Sequence, residues 1–76
     1  MFLYIPVREN LYSPDIGYYD TYKVISFRLG SDNSWNEELS ISDISVSKNF
    51  VYTLVALCNL KQLDPIHFFD LVEDIL

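Results

Sequence analysis

Asp64-Pro65-Ile66-His67-Phe68-Phe69-Asp70-Leu71-Val72-Glu73-Asp74-Ile75-Leu76 is the stretch that decides the fold class. Asp64 is an N-cap residue, and Pro65 suits the first helical position, where its missing N–H costs nothing. The spacing predicts a short helix that is apolar around most of its circumference. Ile66, Phe69, Val72 and Leu76 form one stripe, and Phe68, Leu71 and Ile75 form a second beside it. Asp70, Glu73 and Asp74 crowd the remaining arc. The first stripe is expected to dock on the rest of the chain and the second to stay free for a partner. The other reading is that both are buried within the monomer.

Working backwards, Ser47 reads as another N-cap. Asn49 to Lys61 then places Phe50, Val51, Leu54, Val55, Leu57 and Cys58 at helical spacing, with Lys61 in the last turn, where a cation suits the helix dipole. Only Gln62 and Leu63 separate the two helices, so an αα-hairpin is expected over 47–76. Residues 1–45 read as the strand-rich half. Phe2 to Val7 reads as a strand that Pro6 confines to an edge or ends. Arg8 to Gly17 carries turn chemistry and reads as a loop. Tyr18 to Leu29 is the clearest strand, with the face of Ile25 and Phe27 expected toward the core. Ser34 and Glu37 have capping-box form, which allows a helical turn, and Glu38 to Ile44 reads as a short third strand. The expectation is one α+β domain over 1–76: an antiparallel sheet of two or three strands with the helical hairpin packed on one face.

The segment from Leu39 to Leu76 resembles a small uncharacterised domain family of Firmicutes, mostly clostridial bacteria. The resemblance rests on Asp43-Ile44-Ser45, Leu57-Cys58-Asn59, Leu63-x-Pro65-x-His67 and Leu71-Val72-Glu73-Asp74-Ile75-Leu76. It implies a strand pair ahead of the helical hairpin and a bacterial origin, and it adds nothing about function, since that family has no assigned activity. Phe68 and Phe69 stand where polar residues are commoner in that family.

Composition narrows the function. Half of the 76 residues are hydrophobic and twelve are aromatic, which is the composition of a folded chain. The net charge is −6, all of it contributed by residues 30–76. That acidity disfavours direct binding to nucleic acid or anionic membrane and suits a protein partner with a basic surface. An aromatic platform of Tyr18, Tyr19, Tyr22 and Phe27 with Lys23 and Arg28 is therefore read as sheet packing. Cys58 is the lone cysteine, so an internal disulfide is excluded. Met1 to Val7 lacks a basic signal-peptide region, and a cytoplasmic location is expected.

No cofactor motif stands out, and metal binding is not expected. Cys58, His67 and Asp70 could be drawn as a nucleophile, base and orienting acid. Cys58, however, sits in an apolar stripe rather than an electropositive site. Asp70, Glu73 and Asp74 share a helix face without the encircling oxygens of a calcium loop. The functional expectation is a small acidic, non-catalytic interaction module. In its most concrete form it is an inhibitor or decoy that covers the basic surface of a nucleic-acid-handling protein, of anti-CRISPR or anti-restriction type. Expected contacts are Phe68, Leu71, Ile75, Asp70, Glu73, Asp74, Glu37, Glu38 and Asp43. The alternative partner is the chain itself, in a homo-oligomer paired through the C-terminal helix.

Overall fold

Strands come first and helices second in the computed structural model, which describes residues 1–75. The strands are β1 (Phe2–Ser13), β2 (Gly17–Leu29) and β3 (Trp35–Ser45), and the helices are α1 (Lys48–Lys61) and α2 (Pro65–Ile75). The three strands form one antiparallel sheet in the order β1-β2-β3, so the arrangement is α+β, as expected.

The expected loop over Arg8–Gly17 is strand on both sides of a tight turn. β1 and β2 pair without a break from Phe2↔Arg28 to Ser13↔Gly17, leaving three residues to connect them. The Ile16 N–H donates to the Ser13 carbonyl at 3.3 Å, and Gly17 takes φ +81°, which glycine adopts without steric cost. Cross-strand polar contacts hold the polar residues in the ladder. Arg8 Nη2 meets Asp20 Oδ2 at 2.6 Å, and Asn10 Nδ2 donates to Asp20 Oδ1 at 3.0 Å. These bonds from Asn10 and Arg8 hold the Asp20 carboxyl below its ordinary pKa.

β3 also starts earlier than expected, and Ser34 begins no helical turn. Asp32 Oδ1 accepts from the Ser34 N–H (3.1 Å) and hydroxyl (2.6 Å). Asn33 sits at φ 65°, and the Gly30 N–H donates to the Ser34 carbonyl at 2.8 Å, which closes a turn. Further along β3 the register slips twice against β2. At the slip between Tyr22 and Val24, Asp43 takes φ 54°, and this bulge turns Ile44 into the core.

The register places Phe2, Tyr4, Tyr22, Val24, Leu39 and Ile41 on one side of the pleat. These residues, with Ile44, meet Val51, Leu54, Val55 and Cys58 of α1 and Phe68 and Val72 of α2 in one cluster. The side of β2 that meets the core is therefore that of Val24 and Ser26, not that of Ile25 and Phe27. β1 and β3 decide this by supplying Phe2, Tyr4, Leu39 and Ile41 to the Val24 side. The buried Ser26 and Thr21 hydroxyls donate to the Leu39 and Ser45 carbonyls.

Both helix starts follow the caps read from sequence. The Ser47 hydroxyl accepts from the Phe50 N–H at 3.2 Å, and Asp64 Oδ1 accepts from the Ile66 N–H at 3.1 Å. Between the helices Gln62 is left-handed at φ 50° and sends its N–H back to Asn59.

The end of α1 also closes the edge of the sheet. Asn59 Oδ1 accepts from the Tyr4 N–H at 2.7 Å while its Nδ2 donates to the Tyr4 carbonyl at 3.0 Å. Gln62 repeats the pattern on Phe2, at 2.8 and 3.0 Å. Two side-chain amides thus stand in for a fourth strand along the outer edge of β1. The next outward position is Pro6, which has no N–H to leave unpaired.

Candidate functional site

α2 is rotated from its expected setting. Phe68 is buried, at 1% exposure, with Val72 and Pro65 beside it, whereas Ile66 is 74% and Phe69 52% exposed. Phe68 was expected on the free stripe, and Ile66 and Phe69 on the docked one. The reason lies in β1: the Tyr4 ring stands 5.1 Å from the Phe68 ring, and its hydroxyl donates to the Leu63 carbonyl at 2.7 Å. Tyr4 ties the interhelical link to the sheet and walls the slot that Phe68 fills. Leu76, the last member of the expected docking stripe, lies outside the described residues.

Leu71 and Ile75 do line a surface. With Phe50, Thr53, Leu54 and Leu57 they form an apolar groove of about 270 Å³ between the helices. A second hollow of about 240 Å³ continues it past Leu57 and Leu71 to Cys58, Leu63 and Lys61. Asp70, Glu73 and Asp74 are exposed on α2. The helix pair therefore offers an apolar seam, bare apolar side chains that include Leu60, Ile66 and Phe69, and three exposed acids.

The β3 acids are disposed differently. Glu37 is exposed. Glu38 accepts from Arg28 Nε at 2.8 Å and shares with Asp64 and Ile66 a shallow hollow of about 390 Å³ at the start of α2. Asp43 accepts from the Tyr19 hydroxyl at 2.8 Å. Ion pairs this exposed add little stability, so they fix positions more than they hold the fold.

Ile66 and Phe69 were missed as surface residues because two adjacent stripes on an ideal helix cannot be ranked without knowing the wall they meet. The signal that existed was Tyr4, the one aromatic on β1 whose hydroxyl needs a buried partner.

His67 is exposed on the first turn of α2. Cys58 is buried among Leu54, Leu63 and Leu71 neighbours, and burial pushes its thiol up to about 11. The thiol therefore stays protonated at neutral pH. Burial likewise pushes the Tyr4 hydroxyl upward. Both groups keep their protons in the folded chain at pH values where the unfolded chain has lost them. The Cys58 contribution is fully present below the unfolded pKa, ordinarily near 9.0, and is lost as pH rises toward about 11; the Tyr4 contribution is lost only at higher pH. The melting temperature is expected to fall between pH 9 and pH 11, and Cys58→Ala is expected to make that fall shallower; an unchanged slope in a folded variant would remove Cys58 from the explanation. Alkylation of Cys58 in the folded protein is expected to be slow next to the urea-unfolded chain.

Among the described residues, no three His, Cys, Asp or Glu side chains converge to hold a metal ion, and no helix is long and apolar enough to cross a membrane. Residues 20–76 match the model of a family described as a family of unknown function, DUF6514. The match reaches further toward the N-terminus than the resemblance over 39–76 and takes in nearly all of β2. No curated protein and no solved structure matches the chain.

Proposed function

We propose that this chain, which belongs to the family of unknown function DUF6514, is a non-catalytic protein-interaction module that works through its helical hairpin. The observation that carries this reading is the pair Ile66 and Phe69, 74% and 52% exposed beside Asp70 and Glu73 on α2. Large apolar side chains bare on a small domain, with acids exposed on the same helix, are the composition of a contact surface. Phe68 and Val72 anchor α2 in the core cluster with Tyr4 and Val24, so the exposed side chains of the helix are carried on a folded element.

The partner this surface fits is a protein with a basic rim around an apolar slot. Ile66 and Phe69 enter the slot, and Asp70, Glu73 and Asp74 meet the cations. In the sharper form of the proposal the chain acts as a decoy in the bacterial cytoplasm, covering the cationic channel of a nucleic-acid-handling protein. Its charge of −6, carried by the C-terminal two-thirds, supports that form. A homo-oligomer paired through α2 would have to rely on Leu71 and Ile75, since Phe68 is in the core.

Affinity capture with the tagged chain at low and at high salt tests the proposal. A basic partner is expected to be retained at low salt, to be released at high salt, and to be lost altogether with the charge reversals Glu73→Lys and Asp74→Lys in a folded variant. Retention that ignores both salt and charge reversal overturns the decoy. Retention of no protein from any host lysate overturns the module.

A further inference from the structure

The sheet has a second apolar side that neither helix joins. Leu3, Ile5 and Val7 of β1 stand opposite Phe27, Ile25 and Lys23 of β2. On β3 the opposing residues are Ser40 against Ile25, Glu37 against Phe27 and Trp35 against Leu29. None of these residues belongs to the core cluster or packs against it. Leu3 is 38% and Trp35 43% exposed, and Ile5, Val7, Ile25 and Phe27 are half-buried between their cross-strand neighbours.

Polar chemistry closes this side at one end. Glu9 Oε2 reaches across β2 to accept from the Ser42 hydroxyl (2.6 Å) and the Asp43 N–H (2.9 Å), and Thr21 beneath is fully covered. From Lys23 to Leu29 the β1 and β2 part of this surface is apolar, and β3 rims it with Ser40, Glu37 and Trp35. At a strand rise of about 3.3 Å and a strand spacing of about 4.8 Å the two-strand strip measures roughly 20 Å by 10 Å in plan.

We infer that this strip is covered by a second copy of the chain, the two sheets stacked face to face about a two-fold axis that crosses the strands at Ile5 and Ile25. Charge complementarity selects this occupant. The strip and its rim have one cation, Lys23, and one anion, Glu37, set two residues to either side of the Ile25 level. The two-fold brings the Lys23 level of each copy over the Phe27 and Glu37 level of the other, so the pair forms twice while Leu3 lies over Val7 and isoleucine over isoleucine. Such an interface is self-complementary, as a closed dimer requires. It also turns both helical hairpins outward, which keeps the acids of the two α2 helices far apart. Edge-to-edge pairing through Phe2 and Tyr4 is closed by the Gln62 and Asn59 amides, which leaves the face as the route to a dimer there.

The inference is independent of the helical surface, which stays free in this dimer. Sedimentation equilibrium from micromolar to millimolar concentration tests it. The mass is expected to double across that range while the emission of Trp35, the single tryptophan, moves to shorter wavelength. Ile25→Lys is expected to give a folded monomer throughout. Lys23→Glu is expected to weaken the dimer at least tenfold, and adding Glu37→Lys to restore it. A monomer at every concentration overturns the inference. So does a dimer that survives Ile25→Lys and Lys23→Glu, or one that is broken by Leu71→Glu instead.

Discussion

Phe68→Ala is expected to remove a large share of the chain's stability at 25 °C. Phe68 is 1% exposed, its ring leans on Tyr4 at 5.1 Å, and it joins the core cluster of Val24, Leu54 and Val72. Truncating a buried phenylalanine to alanine costs about 3–5 kcal/mol, because the lost burial is compounded by the cavity left behind. A chain of this length has only about 4–11 kcal/mol in total. Phe69→Ala, one residue along, removes an exposed ring and is expected to change stability by less than about 0.5 kcal/mol. Urea denaturation followed by circular dichroism reads both. Equal losses at the two positions, or a larger loss at Phe69, would mean that α2 is turned the other way.

The second large effect is expected at Asn59. Its amide is the partner of both the N–H and the carbonyl of Tyr4, at 2.7 and 3.0 Å. Asn59→Ala leaves both groups without a protein partner at a part-buried edge, at a cost of about 2 kcal/mol. It also uncovers the edge of β1 next to Pro6, so slow aggregation is expected to accompany the lower midpoint. Hydrogen exchange gives the specific readout, because the Tyr4 amide is expected to lose its protection while the Phe2 amide, held by Gln62, keeps its own. A Tyr4 amide that stays protected in Asn59→Ala would show that the edge is held some other way.

These two residues also mark where the sequence was legible and where it was not. The caps at Ser47 and Asp64 rest on side chains that bond their own neighbours, and such local chemistry is visible in one dimension. So is the helical period of α1, whose buried residues Val51, Leu54, Val55 and Cys58 were all on the expected stripe. The loop over Arg8–Gly17 was misread because Asn10, Pro14 and Asp15 signal turns, while the pairing of Arg8 and Asn10 with Asp20 depends on a register that only the whole hairpin sets. The choice between adjacent stripes on α2 turned on Tyr4, some sixty residues away. The Asn59 and Gln62 amides carry no pattern at all, since what makes them strand mimics is the edge they happen to reach.

Of the expected contacts, Leu71 and Ile75 line one groove, and Asp70, Glu73 and Asp74 are exposed along the same helix. Phe68 exchanged places with Ile66 and Phe69, which follows from the same one-position rotation. Ile25 and Phe27 read as core-facing because the β2 pattern alone favours that side; the register with β1 and β3 places the core on the other.

If the helices meet a partner and the open sheet side meets a second copy, the two surfaces have separable occupants. Photo-crosslinking tests this most directly, with a benzophenone-bearing phenylalanine placed at Phe69 or at Phe27 in the full chain expressed in its own host. The expected result is an adduct from position 69 to a different, basic protein, and an adduct from position 27 at twice the mass of the chain. Adducts to the chain itself from position 69, with none from position 27, would contradict both assignments.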